Sequence, residues 1–299
     1  MTNSYQRARK NPLYRFWIVI PTGLLLSEII YLWVTYREIE NKRTSLLHDQ
    51  ETIQRSLEPA WLQFRNQLEQ LIQTAAQTEW KGDWLEPSFS SWNFRSEAGL
   101  YLRLLQEDGK NRVTLVPAIL ASRKDGFTSC LHRSTSPSTK EGKLAIAPLW
   151  SLSQVYSATQ ILESHWSTNI RQASSLLQLR ILETEYQKVI QEEIPIAIDA
   201  IHQTHFLCLL LDELPIYPPD QSSPSSLTLE TIQLTPHWTR IHLFELPSGA
   251  EKARVRKMGH GSSLSIHRPH SMDEDIQNAI HRQENNCNLA RQFEEAVAY

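Results

Sequence analysis

The chain has 299 residues, 40% of them hydrophobic and 21% charged, with a formal net charge of −3. That length sustains one large hydrophobic core or two smaller ones. Only 9 residues are glycine against 15 proline, and average glycine usage is roughly 7%. No GxGxxG or GxxxxGK[ST] string occurs, so the composition argues against folds that cradle phosphates on glycine loops. No repeat with a period of about 20–50 residues is present, which sets aside solenoids and propellers.

In chain order, residues 1–15 form a short basic tail with Arg7, Arg9, Lys10 and Arg15 and no acidic residue. Residues 16–36, FWIVIPTGLLLSEIIYLWVTY, follow. A helix of this length measures about 31 Å, enough to cross a bilayer core. Trp17 stands near one end, and Trp33 and Tyr36 near the other, where amphipathic rings prefer the headgroup level. The run exceeds a signal-peptide core and no small-x-small cleavage site follows it, so the expectation is an uncleaved single-pass signal anchor. The short tail is the easier end to leave in the cytoplasm, which places the rest of the chain outside the cell inner membrane. Glu28 is ionisable within the span. It reads as a contact to a polar partner in another membrane subunit, or as a group shallow enough to meet water.

Setting aside the tail's four positive charges and the negative charge of Glu28 leaves −6 for residues 37–299. An acidic exterior argues against nucleic-acid binding. Cys130, Cys208 and Cys287 match no CxxC or zinc spacing; an oxidising compartment allows one pair and leaves one thiol over.

Residues 37–79 carry an apolar stripe with near-heptad steps: Leu46, Ile53, Leu57, Trp61, Phe64, Leu68, Leu71 and Ala75, with Gln50 filling one position. The spacing predicts an amphipathic stalk helix, kinked or broken near Pro59. Its contact face, Ile53, Leu57, Trp61, Phe64, Leu68 and Leu71, would pair with another helix or a second copy. The alternative is packing onto the chain's own domain.

Residues 80–258 read as an α+β head with a mostly antiparallel sheet and flanking helices. Trp80, Trp84 and Trp92 cluster at its start, as a ligand wall or as packing. Alternation at Leu100, Leu102 and Leu104, then the turn string from Glu107 to Lys110, then Val113 and Leu115, predicts a β-hairpin. Short strands are expected at 127–131 and 143–147. A helical pattern covers about 152–193, is interrupted at Pro195 and resumes over 196–204. The apolar run 206–211 suits a central strand buried on both faces. A Pro/Ser-rich loop covers 215–226. Strands are expected at 227–234, 239–246 and 251–258, with a turn at Pro247–Ala250. Residues 259–299 form a polar, histidine-containing tail with a helix from about Met272.

Candidate chemistry is sparse. Asp199, His202 and His205 are spaced by three, and His260, His267, His270 and His281 gather in the last 40 residues; imidazoles and carboxylates suit metal binding or proton transfer. Ser262 beside His260 lacks a nucleophile elbow and an orienting third group. Cys130 and His132 offer a thiol–imidazole pair. Lys252, Arg254 and Arg256 would line one face of the last strand, as an anion contact or a charged edge. No cofactor is implied. The layout resembles that of bitopic inner-membrane proteins of bacterial envelope machines, and the resemblance covers the first 80 residues. It implies a non-catalytic structural or interaction subunit that contacts the bilayer and a protein partner or a second copy. The alternatives are a membrane-anchored ligand-binding or sensing domain and, third, a metal-dependent or thiol enzyme.

Overall fold

The computed structural model describes residues 12–87, 89, 94, 96–131, 147–215, 228–259 and 273–297, with side chains from Leu25 onward except that of Glu58. The elements are α1 (Pro12–Gln77), β1 (Trp84–Leu85), β2 (Gly99–Leu105), α2 (Gln106–Gly109), α3 (Arg112–Ala121), α4 (Gly126–Leu131), β3 (Leu149–Ser151), α5 (Leu152–Thr159), α6 (Ser164–Gln172), α7 (Leu176–Lys188), α8 (Ile194–Gln203), β4 (Phe206–Asp212), α9 (Leu229–Ile232), β5 (His237–Glu245), β6 (Glu251–Gly259) and α10 (Glu274–Val297). The class is α+β, with a mostly helical N-terminal region and one six-stranded sheet.

Two compact units emerge: Met1–Arg55 with Ile161–Gln187, and Ser56–Gln160 with Lys188–Tyr299. In the first, Arg43 donates to the carbonyls of Ile170 and Ala173, and Lys42 pairs with Glu183. Gln50, the polar member of the stripe, is buried and donates to the Ile161 carbonyl at 2.7 Å. Its place in an apolar row is explained by that carbonyl, which needs a donor once buried. Trp166 and Tyr186 pack ring to ring at 5.5 Å. The Tyr186 hydroxyl is pushed up to about 12 by burial and the nearby Asp49 charge.

The second unit holds the sheet, in the order β1-β6-β5-β4-β2-β3. β3, β2 and β4 run parallel, while β4, β5, β6 and β1 pair antiparallel. The sheet is therefore mixed, with three antiparallel and two parallel pairings, because the helices between β2 and β4 return the chain in the same direction, as parallel neighbours require. β4 lies between β2 and β5 and is buried along its whole length, as its unbroken apolar run predicts. One sheet face carries Tyr101, Phe206, Cys208, Leu210, Ile241, Leu243 and Val255 against Phe127, Leu289, Ala290 and Phe293 of α4 and α10. Gly99 is required where β2 meets β4: a Cβ there would lie 2.2 Å from the Phe206 ring.

Several expected elements differ. The second arm of the β2 hairpin is a helix. Asn111 caps it by accepting from the Val113 amide, and Leu115 and Ile119, four apart, are the buried positions while Val113 is 79% exposed. The strand expected at 127–131 is α4, whose Phe127 amide donates to Asp125 and whose Phe127 and Leu131 again repeat at four. The strand expected at 227–234 is the short helix α9, capped by Thr228. In each case a local carboxylate, amide or hydroxyl acceptor caps the helix, and in α3 and α4 an i, i+4 pair of buried residues also outweighed two-residue alternation. The helical stretch 152–193 is present as α5, α6 and α7, but a π-turn at Val189–Glu193 precedes Pro195, which lies in the first turn of α8. α1 continues through Pro59 without a break. β5, β6, the turn between them and α10 lie where the sequence places them. The strand expected at 143–147, all but its last residue, and the loop expected at 215–226, all but its first, lie outside the described residues.

Among the described residues no helix is long and apolar enough to cross a membrane, so the expected span has no support from that criterion. α1 does run unbroken through 16–36.

Candidate functional site

Among the described residues a concentrated polar cluster lies towards the carboxyl ends of the adjacent parallel strands β2 and β4. Arg103 on β2 shares a sheet face with Tyr101, two residues earlier, and is 1% exposed. Its guanidinium donates from Nε to Asp212 Oδ2 at 2.7 Å and from Nη2 to Asp212 Oδ1 at 3.1 Å. Nη1 donates to Asp125 Oδ2 at 2.9 Å and to Asn286 Oδ1 at 2.6 Å. Asp212, the last residue of β4, is 0% exposed and also accepts from Thr239 Oγ1 at 2.7 Å. Asp125 accepts from the Tyr101 hydroxyl and the Phe127 amide, each at 2.9 Å. His237 turns Nδ1 to the Thr235 carbonyl at 2.8 Å and places Nε2 3.2 Å from Asp212 Oδ1.

Burial alone would push the Asp212 carboxyl up, yet Arg103 and His237 together hold it below the usual carboxylate range. Burial disfavours the Arg103 charge, and Asp212 and Asp125 more than restore it. The Tyr101 hydroxyl is driven well above its ordinary value by burial and then by Asp125. The cluster thus ties β2, β4, β5, the α4 entrance and α10 together with a bidentate ion pair. Arg103, Asp212 and Asp125 spend their hydrogen bonds within the cluster, so it reads as a pin for the fold. Sequence reasoning missed it because Arg103 alternates with leucines like an outward residue; an acid closing the buried run at Asp212 was the available signal.

A second arrangement lies where the end of α1 meets β5 and β6, around a cavity of about 480 Å³. Trp80 lines it and meets the His242 ring edge-on at 6.0 Å, with the Arg240 guanidinium 5.7 Å from its centroid. His242 Nδ1 lies 2.8 Å from Glu251 Oε1, and Arg254 Nη1 donates to Glu251 Oε2 at 2.9 Å. Burial would raise the Glu251 carboxyl, but His242 and Arg254 bring it below its ordinary value.

The remaining candidate residues are placed as follows. In the stripe, Trp61 and Leu68 are buried within the chain's own fold, Trp61 against Tyr156 at 5.2 Å, while Ile53, Leu57, Phe64 and Leu71 are half-buried. The centre of the expected contact face therefore serves the protein's own core, where it covers the sheet unit. Trp33 and Tyr36 are exposed, as is Glu28, and the Arg37 guanidinium lies 4.6 Å over the Trp33 ring. The side chain of Trp17 lies outside the described residues. Asp199, His202 and His205 are exposed, and Asp199 accepts from Gln203. Among the described residues no group of three or more His, Cys, Asp or Glu is arranged to hold a metal ion. Cys130 is joined to Cys287, Cys208 is buried and free, and burial pushes its thiol up. Lys252, Arg254 and Arg256 pair with Glu86, Glu251 and Glu213, and β6 carries β1 along Ala253–Arg254 rather than forming a bare edge. Trp92, His132, His260, Ser262, His267 and His270 lie outside the described residues.

No protein-family model, no curated protein and no solved structure matches the chain.

Proposed function

We propose that the chain is a single-pass, membrane-anchored structural or interaction protein, a non-catalytic subunit of a bacterial envelope assembly, with its N-terminus in the cytoplasm and its sheet-bearing head outside the inner membrane. The observation that carries this reading is the bare apolar stretch of α1. Leu25, Leu26, Ile29, Ile30, Tyr31, Leu32, Trp33 and Val34 are each 50–71% exposed. At 3.6 residues per turn they fall on all sides of the helix, where a soluble surface helix keeps a polar face. A lipid environment covers such a surface without further protein. The Arg37–Trp33 pair and Tyr36 then stand at the headgroup level. The Cys130–Cys287 bridge supports an oxidising compartment for the head. Glu28, exposed among the apolar residues, is the natural contact for a polar group of a membrane partner.

The test is alkaline carbonate extraction of membranes containing the full chain, together with a compartment-sensitive reporter fused after Tyr299. Retention in the pellet and an extracytoplasmic reporter signal are expected. Release of the intact chain into the supernatant would overturn the reading.

A further inference from the structure

We infer that the tip of the α6–α7 hairpin is a second membrane contact, docked in the headgroup layer of the bilayer that holds the apolar stretch of α1. This rests on the membrane-anchor reading and adds to it a contact made by a distant part of the sequence.

The first ground is direction. α6 runs back along α1 towards the apolar stretch. Gln50 donates to the Ile161 carbonyl ahead of α6, and Arg43 donates to the Ala173 carbonyl just after it, each at 2.7 Å. α7 then leaves in the same sense as α1. Leu176 and Arg180 share one small cavity with Glu38, Asn41 and Lys42, and Glu183 pairs with Lys42. Further along, Tyr186 lies near Asp49. The turn at 173–175 therefore points to the end of α1 that carries the bare apolar side chains.

The second ground is depth. Leu177 precedes Tyr186 by nine residues, about 14 Å along α7, which brings it level with about residue 40 of α1. Residue 40 is four past Tyr36, about 6 Å along the helix. The headgroup layer is about 5–8 Å deep on each side of the hydrocarbon core. With the Tyr36 backbone at the inner boundary of that layer, Leu177 stands inside it. Leu177 is 69% exposed, and Ile181, one turn on, continues the bare face. The Cα–Cβ bonds of a helix tilt towards its N-terminus, which in α7 is the bilayer side.

The third ground is the chemistry of the tip. Residues 172–179 carry no charge and are bracketed by Arg171 and Arg180. Both arginines are exposed and have no ion partner among the described residues. Glu38, exposed on α1, is the opposing charge at this level, while Glu40 and Glu183 pair with Arg43 and Lys42. Lipid phosphates supply the anions that the two guanidinium groups lack, and their stems lie along the interface while Leu177 dips below it. A second copy meeting this tip head-on would set like charges against each other.

Full-length Leu177→Cys, Gln187→Cys and Leu32→Cys proteins are labelled with an environment-sensitive fluorophore and reconstituted into phosphatidylcholine–phosphatidylglycerol vesicles. Ser174→Cys, which leaves Leu177 in place, repeats the reading at the turn. All four positions are exposed. Cys130 and Cys287 are bridged and Cys208 is buried, so the label goes to the introduced thiol. Quenching is compared for a nitroxide in the acyl chain, a nitroxide on the lipid headgroup and a water-soluble nitroxide. The Leu32 label is expected to be quenched from the acyl chain. The Leu177 and Ser174 labels are expected to be quenched from the headgroup and shielded from the aqueous quencher, and the Gln187 label to be quenched from water alone. If the Leu177 and Ser174 labels match the Gln187 label while the Leu32 label is quenched from the acyl chain, the hairpin contact is overturned and the anchor stands. Shielding of the tip from all three quenchers means that protein covers it, and also overturns the proposal. A Leu32 label that the acyl-chain nitroxide does not reach overturns the anchor reading and the hairpin contact with it.

Discussion

Asp212 illustrates how one carboxylate makes stability depend on pH. Its native value lies below the ordinary range because Arg103 and His237 outweigh burial, and its unfolded value is about 3.9. The contribution is therefore fully present above that value and is lost as pH falls through the native one. We expect Asp212→Asn to destabilise the protein at pH 7 by about 3 kcal/mol, towards the lower end for a broken buried pair because Asp125 still faces Arg103. Between about pH 5 and pH 1 the gap between variant and wild type should close. Denaturant unfolding at a series of pH values measures this, and a gap independent of pH would contradict the assignment. Little of the cluster was legible beforehand. Asp125, Asn286 and His237 are far from Arg103 in sequence, and no local pattern connects them. Cys208 was legible, because a cysteine within an unbroken apolar run has nowhere to go but the core.

Elements were readable where one periodicity stood alone. β4, β5, β6 and α10 announce themselves by apolar runs or a repeat at three and four, and they form where expected. The segments after β2 carry both signals, since Val113 and Leu115 alternate while Leu115 and Ile119 repeat at four. A cap residue decides such cases, and Asn111 and Asp125 supply one each. In α1 the stripe was legible but its partner was not. Leu68 is 0% exposed inside the chain's own fold. Leu68→Ala should cost about 2–5 kcal/mol in stability and leave the sedimentation of the full chain unchanged; a loss of self-association with unchanged stability would restore the stalk-pairing role. The bridge between α4 and α10 spans 157 residues of sequence, with Cα atoms 5.2 Å apart. Cys287→Ser should lower stability by about 2–5 kcal/mol, and reductant should lower the thermal midpoint of the wild type while leaving that of the variant in place.

At the scale of the molecule, the bare apolar stretch of α1 and the closed core of the sheet unit ask for different surroundings. Replacing Arg7, Arg9, Lys10 and Arg15 with serine removes the tail's positive charge while Arg37, Lys42, Arg43 and Arg55 remain beyond the apolar stretch. Orientation follows such imbalances. A reporter after Tyr299 should then show a mixed population; full retention of one orientation would mean that the head itself decides.

Composition and local pattern by themselves determined the α+β class, the basic tail, the apolar segment at 16–36, the buried β4 and the absence of a glycine phosphate loop. These are properties of neighbouring residues, and backbone periodicity and hydropathy act over that range. Only the tertiary structure decided that the sheet is mixed, that the stripe of α1 covers its own core, that Cys130 pairs with Cys287, and that Arg103 meets Asp212. Those outcomes depend on which distant segments exclude water together. Burial makes an unpaired charge or a bare apolar face costly, and the chain relieves that cost with groups far away in sequence.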